Sequence, residues 1–136
     1  MFFYPQYNNY NASHHLLVCR TVYNLFMLTK KISGMVRLLR PELALAAGVC
    51  VTLGQVLAAG RAPSLPVGIL GFVCAFALSG AALILNDFFD YEVDRINHPR
   101  RPLPSGAVSR REVLGLTAVT SLVGLAAALA LGLLIG

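Results

Sequence analysis

Charge is what this chain has least of. Charged side chains make up 12% of its 136 residues, against 57% hydrophobic, and that charged share is about half what a soluble protein carries. Such a composition excludes an ordinary soluble domain and places the chain in the membrane class. Cysteine is also sparse: Cys19, Cys50 and Cys74 are odd in number and far apart. They exclude a disulfide framework and read as small apolar residues. The net charge is +5, but no basic run alternates with aromatics in a way that would stack bases, so no nucleic-acid partner is expected. The cations instead report on membrane topology.

Acid is rarer still. Of six acidic residues, four fall in one short run: Asp87, Asp90, Glu92 and Asp94, with Arg95, Arg100 and Arg101 behind them. Carboxylates beside membrane spans are costly and therefore point to function. On a helix, with Asn86 as zero, Asp90 falls near ~40°, Asp94 near ~80°, Asp87 near ~100° and Asn97 near ~20°. These side chains share one face, while Phe88, Phe89, Val93 and Ile96 occupy the other. Glu92 lies roughly 140° from Asp87 and is expected to pair with an arginine instead of binding metal. Pro99 disfavours helix at His98, so the helix should end there. Like charges gathered at a helix C-terminus call for cations. Without thiols or paired imidazoles, the oxygen ligands suit Mg²⁺ that shares phosphate oxygens, and the arginines suit the same phosphates.

Three apolar stretches surround this run, and the chain reads as an all-α membrane helix bundle. Span one runs over about residues 42–60, opened by Pro41; span two over 66–86, opened by Pro66; span three over 112–135, opened by the capping box Ser109-Arg110-Arg111-Glu112. A single helix from Pro66 to Asn97, roughly 48 Å long, would carry the carboxylates to or beyond one membrane face. Residues 86–111 form the motif loop, Pro-rich after residue 98. Gly48, Gly54, Gly115, Gly124 and Gly132 are expected to let helices approach closely. Gln55 is expected to face the pocket or to form an interhelical hydrogen bond. Residues 1–35 read as a polar or amphipathic leader, with Met35 an alternative start: 1–15 are unstructured, and 16–28 are too short for a span. His14 and His15 are not expected to bind metal, and Asn11-Ala12-Ser13 is only formally a glycosylation acceptor. Lys30, Lys31, Arg37 and Arg40 before span one, and five arginines between spans two and three, put the amino terminus and the motif loop in the cytoplasm.

The run Asn86-Asp87-x-x-Asp90-x-x-x-Asp94 resembles the first aspartate-rich motif of UbiA-type membrane prenyltransferases. Its continuation, Asp94-Arg95-Ile96-Asn97-x-Pro99-x-Arg101-Pro102-Leu103-Pro104-Ser105-Gly106, is similar to the branch holding digeranylgeranylglyceryl phosphate synthases and chlorophyll synthases. The likeness covers roughly residues 36–136. It implies an integral enzyme of the cell membrane that moves an isoprenyl group from a prenyl diphosphate to a hydroxyl or aromatic acceptor. An ether-lipid precursor, geranylgeranylglyceryl phosphate, is the favoured acceptor. Asp90 and Asp94 are the implied catalytic residues, holding Mg²⁺ with Asp87 and Asn86; Asn86, Asp87, Asn97 and Arg101 would bind diphosphate. Arg40-Pro41 matches an Arg-Pro common in the family, but Leu43 stands where many members carry Asn, which argues against a substrate role for that corner. Arg100 is read as topological. The resemblance implies about nine membrane helices and a second aspartate-rich motif, so this sequence reads as an amino-terminal part, with the remaining half as a partner. The alternative is a non-catalytic truncated or split membrane module. Soluble isoprenyl synthases are excluded by the apolar composition, and lipid phosphatidyltransferases by the missing Asp-Gly and Ala-Arg that precede their aspartates.

Overall fold

The computed structural model describes the backbone of residues 9–135 and the side chains of residues 17–135. The readings of residues 1–8, and of the side chains of Asn11, His14 and His15, lie outside the described residues. Five helices follow in order: α1 (Asn9–Leu39), α2 (Pro41–Ala59), α3 (Leu65–Phe89), α4 (Tyr91–Asn97) and α5 (Arg110–Ile135). Three of them, α2, α3 and α5, are long and apolar enough to cross a membrane. Their starts and ends lie within a few residues of the expected spans, and among the described residues there is no strand.

Local chemistry explains the breaks. Arg40 adopts φ 45° and ψ 65° between α1 and α2, a left-handed conformation uncommon outside glycine. Pro41 then occupies the first helical turn, where its missing N–H costs nothing. Gly60, at φ 63°, closes α2, as a left-handed C-cap requires. At the start of α5 the capping box forms in full: Ser109 N and Oγ each donate to Glu112 Oε2 at 2.8 Å, and Glu112 N donates back to Ser109 Oγ at 3.3 Å.

The central helix is α3, which packs against both α2 and α5. Close approach is made possible by glycine at two of the expected positions. A Cβ on Gly48 would lie 2.6 Å from the Phe72 ring, and one on Gly124 would lie 2.7 Å from Leu78 Cγ. Gly54, Gly115 and Gly132 have nothing within 4 Å; the expectation of tight neighbours there is not met, because those faces point away from the other described helices. Gln55 Nε2 donates to Val67 O at 3.3 Å, so its role is the interhelical one.

Two further expectations need correction. The helix beginning at residue 66 does not run unbroken to Asn97: it bends at Asp90, whose φ −78° and ψ 4° lie in the bridge region. The bend preserves the ladder, with Asp90 N on Asn86 O at 2.9 Å and Asp94 N on Asp90 O at 2.8 Å, so the spacing of the carboxylates survives it. The helix α3 alone is roughly 37 Å long, already more than the apolar thickness of a bilayer. Residues 9–15, read as unstructured, belong to α1, which runs through residue 35 without interruption. Its carboxyl-terminal part is held by tertiary packing. Leu38 is fully buried in a cluster with Ile84, Leu103, Val108 and Val113. This core joins α1, α3, the motif loop and α5, and it sits directly beneath the polar residues.

Candidate diphosphate site at the motif end

The end of α3 and the short helix α4 sort their carboxylates by depth. Asp87 and Asp94 are 4% and 3% exposed, an environment a charged group tolerates only when paired. The pairs are present. Arg101 Nη1 lies 2.5 Å from Asp94 Oδ2 and 3.8 Å from Asp87 Oδ1, and Arg40 Nη2 donates to the same Asp87 oxygen at 2.6 Å. Two carboxylates two helical turns apart thus converge on one guanidinium, while a second closes from the α1–α2 junction. The hydrogen bond Arg101 donates to Asp94, then the charges of Asp94, Asp87 and Asp90, hold Arg101 above its ordinary arginine value, outweighing partial burial. Asn86 and Asp90 form an outer pair, with Asn86 Nδ2 donating to Asp90 Oδ2 at 2.8 Å.

Glu92 stays apart. Its side chain is 70% exposed and lies near Arg95 at 3.7 Å and Arg110 at 3.9 Å, the arginine pairing expected of it. Arg110 also stacks over the Tyr91 ring, 4.4 Å from its centroid, a cation–π contact.

Above the buried pair opens a cleft of about 480 Å³, walled by Arg37, Arg40, Arg100 and Arg101 and completed by Asp87, Asn97, His98, Pro99 and Pro102. Of the residues expected to bind diphosphate, Asp87, Asn97 and Arg101 line this cleft. Asp90 and Asp94 do not line the cleft: Asp94 lies beneath Arg101 and Asp90 to one side. Arg40, at the corner expected to hold no substrate, pairs with Asp87, and both Arg40 and Arg100, the latter read as topological, line the cleft. Arg37 was missed altogether. Its signal was present, since Arg37 and Arg40 are one helical turn apart immediately before a proline.

Among the described residues, no three His, Cys, Asp or Glu side chains gather closely enough to hold a metal by themselves. Asp87 and Asp94 nevertheless aim oxygen atoms at one cationic centre, Arg101. Oxygen-only donors of this kind suit a hard divalent ion that takes its remaining ligands from phosphate and water.

The chain is an all-α membrane helix bundle with a paired-carboxylate and arginine cleft at one end. Comparison with known proteins narrows that class. Residues 47–136 match the UbiA prenyltransferase family, and the chain belongs to it. The digeranylgeranylglyceryl phosphate synthase of Thermococcus kodakarensis is 44% identical over 79 residues, covering 58% of this chain and 28% of that protein. The protein of the same name from Thermococcus gammatolerans is 39% identical over 103 residues, 76% of this chain and 37% of that one. A solved structure concerned with digeranylgeranylglyceryl phosphate synthase in membranes superimposes with a TM-score of 0.70 at 29% identity, covering 73% of this chain and 36% of that chain. The chain thus spans about a third of the length of these relatives.

Proposed function

We propose that this chain carries the diphosphate-binding end of a membrane prenyltransferase. In this reading an isoprenyl group passes from a prenyl diphosphate to a hydroxyl of a glyceryl phosphate ether lipid. The observation that carries it is the buried Asp87–Arg101–Asp94 cluster beneath a cleft walled by four arginines.

The chemistry follows from charge. The carbon–oxygen bond to the diphosphate breaks with its electron pair leaving on the diphosphate, and the acceptor oxygen bonds to the freed carbon and loses its proton to solvent. Negative charge builds on the leaving group, and preorganised cations there lower the barrier. Arg101 spends part of its five-donor fork on Asp94 and keeps further N–H groups for phosphate oxygens. Asp87 and Asp94 fix the orientation of Arg40 and Arg101, so neither side chain must be ordered when substrate arrives. Mg²⁺, held by Asp90 and Asp94 with Asp87 and Asn86, would add Lewis-acid stabilisation of the leaving diphosphate. The apolar spans would shield the allylic cation from water. The names of the relatives and the Asn97-x-Pro99-x-Arg101-Pro102 form of the loop support this choice of acceptor.

The test uses membranes containing the protein, radiolabelled geranylgeranyl diphosphate, Mg²⁺ and an alkylglycerol phosphate. Asp90→Ala and Asp94→Ala should each lower turnover by on the order of a hundredfold or more, with Glu92→Gln nearly unchanged. Equal losses at Glu92 and Asp90 would refute the assignment.

The basic residues flanking the motif favour a cytoplasmic site and amino terminus. In a cysteine-free background, a membrane-impermeant thiol reagent applied to intact cells should label a cysteine at Ser64 and spare one at Ser105. The opposite pattern would reverse the orientation.

A further inference from the structure

A second hollow, of about 340 Å³, lies beside the first, between the carboxyl-terminal part of α1 and the loop from Pro99 to Ala107. Lys30, Arg37 and Arg100 line it together with the hydroxyl-bearing Ser33 and Ser105. It shares Arg37 and Arg100 with the first cleft and adds Lys30 in place of Arg40 and Arg101. Arg40 and Arg101 are matched by Asp87 and Asp94, whereas Lys30, Arg37 and Arg100 form no ion pair among the described residues. Neighbouring Lys31 has one, with Glu112 at 2.6 Å. All three are exposed, so water screens their mutual repulsion, and their donors stand open to an anion that no carboxylate of the described residues displaces.

The hollow has a fixed shape. A Cβ on Gly34 would lie 2.7 Å from Val108 Cγ2, so α1 rests directly on the loop at this point. Val108 is 1% exposed and its N–H donates to Pro102 O at 3.1 Å, which holds the opposite wall. Pro99 and Pro102 stiffen that wall further. The two hollows share Arg37 and Arg100 as a common partition.

We propose that this second hollow seats the phosphate monoester of the acceptor lipid, an inference that rests on the prenyl-transfer reading above. A monoester carries close to two negative charges near pH 7 and three acceptor oxygens, which suits three cations better than the single charge of a phosphodiester. Its place across the Arg37–Arg100 partition sets the acceptor headgroup beside the donor diphosphate, so binding the two phosphates aligns the two reactants. This gives α1, the stretch that looked like a dispensable leader, a direct part in substrate choice.

The experiment measures equilibrium binding of a radiolabelled single-chain alkylglycerol phosphate to the protein in phosphatidylcholine nanodiscs. Phosphatidylglycerol and soluble glycerol phosphate serve as competitors, and prenyl diphosphate binding is measured in parallel. Lys30→Gln and Arg100→Gln should each weaken monoester binding by about tenfold, the value of one hydrogen bond to a charged group. Lys30→Gln should leave prenyl diphosphate binding intact, since that residue lines only the second hollow. Arg111→Gln, an exposed control outside both hollows, should bind as the unaltered protein does, and phosphatidylglycerol should compete poorly. Unchanged monoester binding in folded Lys30→Gln and Arg100→Gln would overturn the proposal. So would phosphatidylglycerol competing as well as the monoester, which would mark a generic anionic-lipid surface. Absence of prenyl diphosphate binding by the unaltered protein, with monoester binding weakened in Lys30→Gln, would instead overturn the first cleft's assignment and leave the second hollow standing.

Discussion

The two ends of the bundle are built from the same kinds of helix, yet only one is held together by charge. At the motif end, residues far apart in sequence are tied in pairs, Arg40 to Asp87 and Lys31 to Glu112, beside the local pair Arg101 to Asp94. The opposite end is a short turn from Gly60 to Ser64. Its one cation, Arg61, makes no ion pair among the described residues, and Leu57, Leu65 and Leu133 are 82%, 77% and 88% exposed. The difference teaches where the chain has accepted the cost of burying charge. A buried ion pair is a poor general stabiliser, so concentrating such pairs at one end marks that end as the place where charge has work to do. The exposed leucines of the other end have no polar partners to organise.

The contrast can be broken at a single residue. Arg101→Ala strips one cation from two buried carboxylates. It should cost about 3 kcal/mol, the low end for removing one partner of a buried charge, because the guanidinium itself is 34% exposed. Thermal unfolding in detergent should show the drop, and prenyl diphosphate binding should fall with it; a shift no larger than that of a surface control would mean the motif end is not knitted as described. Ser109→Ala comes next. It removes the hydroxyl of the capping box at the start of α5 and should cost about 1 kcal/mol, read in the same assay, with diphosphate binding preserved. Glu92→Gln is smaller, within about 0.5 kcal/mol, because its two arginine contacts are long and solvent-exposed. This variant sharpens the comparison by showing that the paired network, and not acidity at that end in general, matters. Arg61→Ala at the opposite end should change neither stability nor binding beyond about 0.5 kcal/mol. A larger effect there would show that the turn carries organisation the ion pairs do not reveal.

Much of this was legible before any coordinates. The spans were legible because lipid demands long apolar runs with every backbone group bonded inside the helix. The capping box at Ser109 and Glu112 and the exclusion of Glu92 from the carboxylate face were legible because both depend on residues within one turn of each other. The bend at Asp90 was not, since nothing in the local run breaks the helical pattern and the ladder of hydrogen bonds continues through it. Nor were the open faces at Gly54, Gly115 and Gly132: a glycine permits a neighbour but does not supply one.

By itself the sequence determined that this is a membrane helix bundle, that its carboxylates recur at helical spacing beyond the second span, and that cations must meet them there. Helical periodicity and the cost of charge near lipid are sufficient for that. Only the tertiary structure decided which cations those are, and which remain free. Lys30, Arg37 and Arg40 reach the motif because Leu38 packs into one core with Ile84, Leu103, Val108 and Val113. The same packing presses Gly34 against Val108. Contacts between stretches some sixty residues apart leave no periodic trace in either stretch, because they are selected by the shape of a shared core and not by the repeat of a single helix.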